Sequence, residues 1–199
     1  MALLAAERRD LLQRRGLRLE YATLAWNVVE IGFLIAAAIM ARSVALAGFA
    51  FDSFIEIFAS VVVVWQLKGT TQAHSEQRAI RRIGAAFYWL AIYIIAQAAA
   101  TLALDIRPDS SPLGIAWLAA TCVVMLGLAA GKARTGRELD NPVLSAEARV
   151  TLVDGALAAA ILVGLILNAT AGWWWADIAA GAVLVAYGLR EGRLHLSAD

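Results

Sequence analysis

Val44–Leu67 reads VALAGFAFDSFIEIFASVVVVWQL, 24 residues interrupted by only two charges, Asp52 and Glu56. The hydrocarbon core of a bilayer is about 30 Å thick and a helix rises about 1.5 Å per residue, so about 20 apolar residues cross it. This stretch is long enough to span, and it has no polar face to turn toward water. Five more blocks of the same kind run over 21–40, 84–104, 112–131, 148–168 and 173–192. A chain inside lipid must satisfy its own backbone hydrogen bonds, which helices do within one segment. The pattern predicts an all-α membrane protein, a bundle of six transmembrane helices.

Composition agrees. Apolar residues make up 61% of the 199-residue chain, against about 45–50% in soluble domains. The net charge of +1 says little, because the placement of Lys and Arg, not their sum, sets orientation. Arg8, Arg9, Arg14, Arg15 and Arg18 precede the first block, and Lys68, Arg78, Arg81 and Arg82 follow the second. Lys132, Arg134, Arg137 and Arg149 lie around the fourth connection, and Arg190 and Arg193 near the end. Only Arg42 and Arg107 fall on the other side, which predicts both termini in the cytoplasm. Trp173, Trp174 and Trp175 open the last block, where an outer aromatic belt is expected.

The organisation expected is a cytoplasmic segment over 1–20, a membrane domain over 21–192 and a short cytoplasmic tail over 193–199. The leading segment is too charged for a signal peptide. It reads either as a helix lying on the inner leaflet or as a solvated helical lead-in to the first span. Cys122 is the sole cysteine, so no intrachain disulfide and no cysteine cluster can form. His74 and His195 fall outside the apolar blocks and read as solvated residues. Asn168-Ala-Thr170 fits the glycosylation pattern, a short match common by chance.

Acidic residues inside the blocks carry the functional signal, because a carboxylate in lipid is tolerated only when it faces protein or a water-filled cavity. Glu30, Asp52, Glu56 and Asp154 stand there. Helical rise puts Glu30 about 13 Å, Glu56 about 16 Å and Asp154 about 9 Å from the inner ends of their helices, with Asp52 one turn farther out than Glu56. Asp52 and Glu56, four apart, share a face and repel unless a cation or proton lies between them. Thr23, Asn27 and Glu30 share a face of the first helix; Glu147, Thr151, Asp154 and Ala158 share one of the fifth. No Lys, Arg or His is expected at that depth, which favours a bound metal or protonating carboxyls. Alternatives remain at each position: protonated packing residues at Asp52, Glu56 and Asp154, interhelical glue at Glu30 and Asn27, and a helix N-terminal charge at Glu147. Asp177 reads as an N-terminal charge or cap. Ala45, Gly48, Ala59, Ser60, Gly155, Ala158 and Ala159 allow helices to approach closely.

Gly48-Phe-Ala-Phe-Asp-Ser-Phe-Ile-Glu-Ile-Phe-Ala-Ser60 resembles the second helix of the cation diffusion facilitator family of metal transporters. Ala146-Glu-Ala148 with Asp154 and Gly164-Leu-Ile-Leu-Asn168 resembles that family's fifth helix, and Trp173-Trp-Trp-Ala-Asp-Ile-Ala-Ala-Gly181 the start of its sixth. The resemblance covers nearly the whole chain. It implies six spans with both termini inside, a homodimer, and a mid-membrane metal site holding Asp52, Glu56 and Asp154. The position of that site's remaining ligand, a histidine in the family, falls on Val150, and Glu56 stands where the family has aspartate. The resemblance expected is to that family's short members, which consist of the membrane domain only. Glu30, Asn27, Glu147 or water is left to complete the shell.

The function expected is efflux of a divalent metal ion by metal/proton antiport, probing the same carboxylates with dication and proton in turn. Zinc is the first candidate, with manganese and iron behind it. An all-oxygen site suits harder ions such as manganese and magnesium. The expected partners are the lipid bilayer, the metal ion and protons, with no nucleic acid and no tightly bound cofactor. The expected location is a bacterial inner membrane. A non-transporting membrane module that binds metal structurally or assembles with a partner is the second reading. An enzyme is not expected, because no nucleophile–histidine or histidine–metal constellation lies within the blocks.

Overall fold

The computed structural model describes the backbone of residues 2–68 and 73–196, and their side chains apart from 2–6, 66, 73–84, 86, 142, 146, 195 and 196. The side chains of His74, Arg78, Arg81, Arg82 and His195, and residues 197–199 altogether, lie outside what is described. Six helices appear among the described residues: α1 (Ala2–Ala41), α2 (Val44–Leu67), α3 (Ala73–Ala103), α4 (Pro112–Leu139), α5 (Pro142–Ala171) and α6 (Trp175–Leu196). Those residues contain no strand. Glu7–Ala41, Val44–Trp65, Pro112–Leu139 and Val143–Ala171 are long and apolar enough to cross a membrane, and the Phe87–Ala103 part of α3 is a shorter apolar stretch.

The distribution of side chains inverts that of a soluble protein. Glu20, Asn27, Glu30, Asp52, Glu56, Lys132, Glu147 and Asp154 are buried, while Val28, Ile39, Met40, Phe58, Trp89 and Val123 are exposed. Large apolar side chains facing outward around a polar interior are stable against lipid, not water. The chain is an integral membrane protein.

Helix packing explains how the polar groups meet. α1 packs on α2, α2 on α5, α5 on α4 and α4 on α1, closing a ring of four helices; α3 and α6 pair beside it against α2 and α5. Close approach depends on small residues, as expected. A Cβ on Gly155 would stand 3.2 Å from Met125 Cβ of α4, and one on Gly48 would meet Ile94 of α3 at 2.9 Å.

Several helix boundaries differ from the apolar blocks, α3 among them, which begins at Ala73 rather than 84. The 40 residues of α1 form one helix about 60 Å long, twice the hydrocarbon thickness; its leading part is a helical lead-in continuous with the span, and not a separate surface helix. α4 continues past 131 to Leu139, and α5 begins at Pro142 rather than 148. Their connection is only Asp140 and Asn141. Asp140 takes a left-handed conformation (φ 51°) that ends α4, and Asn141 Oδ1 accepts from the N–H groups of Val143 and Leu144, both at 3.0 Å, to start α5. Pro142 sits at the first position of the helix, where its missing N–H costs nothing. α6 likewise starts late, so Trp173 and Trp174 precede it, and Trp173 stacks on Trp175 with ring centroids 5.3 Å apart.

Asp177 is a cap, but of a different helix. Although it lies in the first turn of α6, its carboxylate accepts from the N–H groups of Val44 (3.0 Å) and Ala45 (3.3 Å) and from the Ser43 hydroxyl, at the start of α2. Asn168 is also buried and committed, its amide donating to Pro108 O at 3.1 Å.

Candidate cation pathway

Each helix of the ring contributes one face. In α1 the buried positions 16, 20, 23, 27, 30, 34, 37 and 41 recur at three- and four-residue intervals; in α5 the corresponding series is 144, 147, 151, 154, 158, 161, 165 and 168. Spacing of this kind is one helical stripe. The sequence places Glu20, Thr23, Asn27 and Glu30 on the first stripe and Glu147, Thr151 and Asp154 on the second. Asp52, Ser53, Glu56 and Ser60 of α2 and Thr121 and Lys132 of α4 complete the lining. Glu20 and Glu30 are separated along α1 by about 15 Å of helical rise, so the polar groups form a column through half the hydrocarbon thickness.

At one end of the column stands Glu30. It accepts from Ser53 Oγ (3.2 Å), Trp117 Nε1 (3.2 Å) and the Thr121 hydroxyl. Trp117 is itself held between Phe33 (centroids 4.1 Å apart) and Trp26 (5.2 Å). An indole N–H can only donate, so this position is built for a carboxyl oxygen. Glu30 thus ties α1 to α2 and α4 as an interhelical acceptor.

Midway, Glu56 accepts from Asn27 Nδ2 at one oxygen and from Thr151 Oγ1 at the other, both at 3.1 Å. Asp52 lies one turn away on the same face, buried to 5% exposure. Asp154, 3% exposed, differs from every other carboxylate of the column except Glu20: both its oxygens are buried without a hydrogen-bond partner. A buried acceptor left in that state costs about 1–3 kcal/mol. Asn27 Oδ1 is buried and unpartnered in the same way. No group of three or more His, Cys, Asp or Glu among the described residues is gathered closely enough to hold a metal ion as the side chains stand.

At the other end the expectation of no cation at depth is corrected. Lys132, assigned by sequence to a loop, is fully buried in α4. Its Nζ lies 3.1 Å from Glu20 Oε2 and 3.4 Å from Glu147 Oε1, and donates to Thr151 Oγ1 at 3.0 Å. Glu147 also accepts from Ser60 Oγ at 3.3 Å. Five residues beyond Pro142, it is past the first turn of α5, so the helix N-terminus does not account for it. Neither Glu20 nor Lys132 was singled out by sequence reasoning. The signal existed: Glu20 extends the Thr23, Asn27, Glu30 stripe, and Lys132 extends Leu118, Thr121, Met125 and Ala129 of α4. Val150, where the family ligand is missing, is half-buried. Cys122 is a free, half-buried thiol on α4.

No family model matches the chain. It is similar to Transmembrane protein 163 of Xenopus laevis, 24% identical over 178 residues, an alignment that covers 83% of this chain and 63% of that protein's length.

Proposed function

We propose that this chain is a divalent-cation transporter of the cation diffusion facilitator type. It spans the membrane six times with both termini inside, exports its ion in exchange for protons, works as a homodimer, and belongs in a bacterial inner membrane. Zinc is the cargo proposed first, then manganese and iron. The observation that carries the reading is Asp154: a carboxylate buried in a membrane protein with neither oxygen hydrogen-bonded, on a column it shares with Asp52 and Glu56. Such a group is stable in either of two states, protonated or paired with a cation, and competition between them is the chemistry of antiport. Thr151 and Asn27, which hold Glu56 now, would release its oxygens when a dication draws Asp52, Glu56 and Asp154 together.

One observation favours a non-transporting membrane module instead: Glu30 and Glu56 are engaged by donors from neighbouring helices, as structural carboxylates are. Calorimetric titration of the detergent-solubilised protein with Zn²⁺, Mn²⁺ and Fe²⁺ separates the two. The transporter reading expects binding that Asp154→Ala abolishes. Absence of binding, or binding untouched by Asp154→Ala, supports the module.

A further inference from the structure

Lys132 has no part in the transport chemistry proposed above, yet it is a fully buried lysine. Its ammonium has three N–H donors and three acceptors around it: Glu20 Oε2 on α1, Glu147 Oε1 and Thr151 Oγ1 on α5. Ser60 of α2 braces Glu147. All four helices of the ring therefore converge on one charge. The tight Asp140–Asn141 turn fixes the register between α4 and α5 that makes this meeting possible.

We infer that Lys132 is a tethered cation that latches the α4–α5-turn end of the column shut, and that an ion moving between Glu56 and that end must displace its ammonium. The inference rests on the transport reading only for the identity of what passes. Thr151 links the two sites directly, accepting from Lys132 at 3.0 Å and donating to Glu56 at 3.1 Å. The ammonium and the Glu56 carboxylate are bridged by this single hydroxyl, so a dication held on Glu56 would face a second positive charge at short range, and the two repel strongly in a medium less polarisable than water. Occupancy at Glu56 and closure by Lys132 therefore oppose each other.

The latch is also incompletely satisfied. Glu20 is fully buried, yet its Oε1 has no partner, and its Oε2 meets Lys132 as an ion pair without hydrogen-bond alignment. Buried ion pairs contribute little net stability against an apolar replacement, and their best-attested use is to set one arrangement over another. A purely structural Lys132 would be replaceable by Met with the end of the column still closed.

Accessibility tests this without reference to transport. In a Cys122→Ala background, Ser53→Cys places one thiol at a fully buried position of α2. A membrane-impermeant cationic thiol reagent is applied to the vesicle face carrying the α4–α5 turn. Lys132→Met should speed labelling at least tenfold, and Glu20→Gln, which removes one arm and keeps the lysine, several-fold; Lys132→Arg should restore protection. Labelling within twofold of the parent in both Lys132→Met and Glu20→Gln overturns the latch. Should Lys132→Met fail to fold, Glu20→Gln decides alone. Zinc flux recorded separately in vesicles of the unsubstituted chain keeps the two ideas apart: accelerated labelling with no flux by that chain sinks transport and leaves the latch, whereas flux with unchanged labelling sinks the latch.

Discussion

Replacing Asp154 by alanine should abolish cation binding without weakening the fold, a combination that an ordinary packing residue does not give. Both carboxylate oxygens of Asp154 are buried and unpartnered, a state that costs about 1–3 kcal/mol. Truncation removes that cost. Against it stands the loss of one small side chain's contacts, about 1 kcal/mol for a typical substitution. The balance leaves Asp154→Ala between unchanged and about 2 kcal/mol more stable in cation-free detergent. Reversible unfolding in mixed micelles, followed by far-ultraviolet circular dichroism, measures the difference. Zinc at a hundred times its dissociation constant should then raise the parent by about 2.7 kcal/mol and leave the variant unmoved. If Asp154→Ala is destabilised by about 1 kcal/mol or more, as average substitutions are, and still gains from zinc, the reasoning fails.

Three further outcomes follow from the same geometry. Removing single donors to Glu30, by Ser53→Ala or Trp117→Phe, should cost about 0.6 kcal/mol each and no more than about 1.7, the average and the maximum for interhelical hydrogen bonds in membranes, read by the same unfolding assay. Asn141→Ala removes the cap of α5 and should cost about 1 kcal/mol; hydrogen exchange should rise first at Val143 and Leu144. Asp177→Ala leaves two N–H groups at the start of α2 without their acceptor and should cost about 1–2 kcal/mol, with Asp177→Asn milder in thermal unfolding.

The apolar blocks and the inward faces were legible because both depend on short-range periodicity. Three- and four-residue spacing alone groups Asn27 with Glu30, Asp52 with Glu56, and Glu147 with Asp154, and all six are buried. What spacing cannot supply is the register between helices. Nothing local says that Thr121 and Trp117 of α4 reach Glu30, or that Asp177 of α6 caps α2 across more than 130 residues of chain. Lys132 was missed for a different reason. A lysine after an apolar block reads as a loop residue that sets orientation, and only the continuation of α4 to Leu139 turns it inward. The charged lead before the first span was ambiguous because residues around Glu20 fit a lead-in or a surface helix equally; their unbroken continuity with α1 comes from packing, with Gly16 lying against Leu144 of α5.

Flux bears most directly on the central claim. Purified protein in sealed vesicles is given an inward gradient of Zn²⁺, Mn²⁺ or Fe²⁺ while a trapped dye reports internal pH. Dication uptake with protons leaving in exchange is expected, both lost together in Asp52→Ala and Asp154→Ala. Uptake at the parental rate in both variants, or no dication-dependent proton movement by the parent, would contradict it.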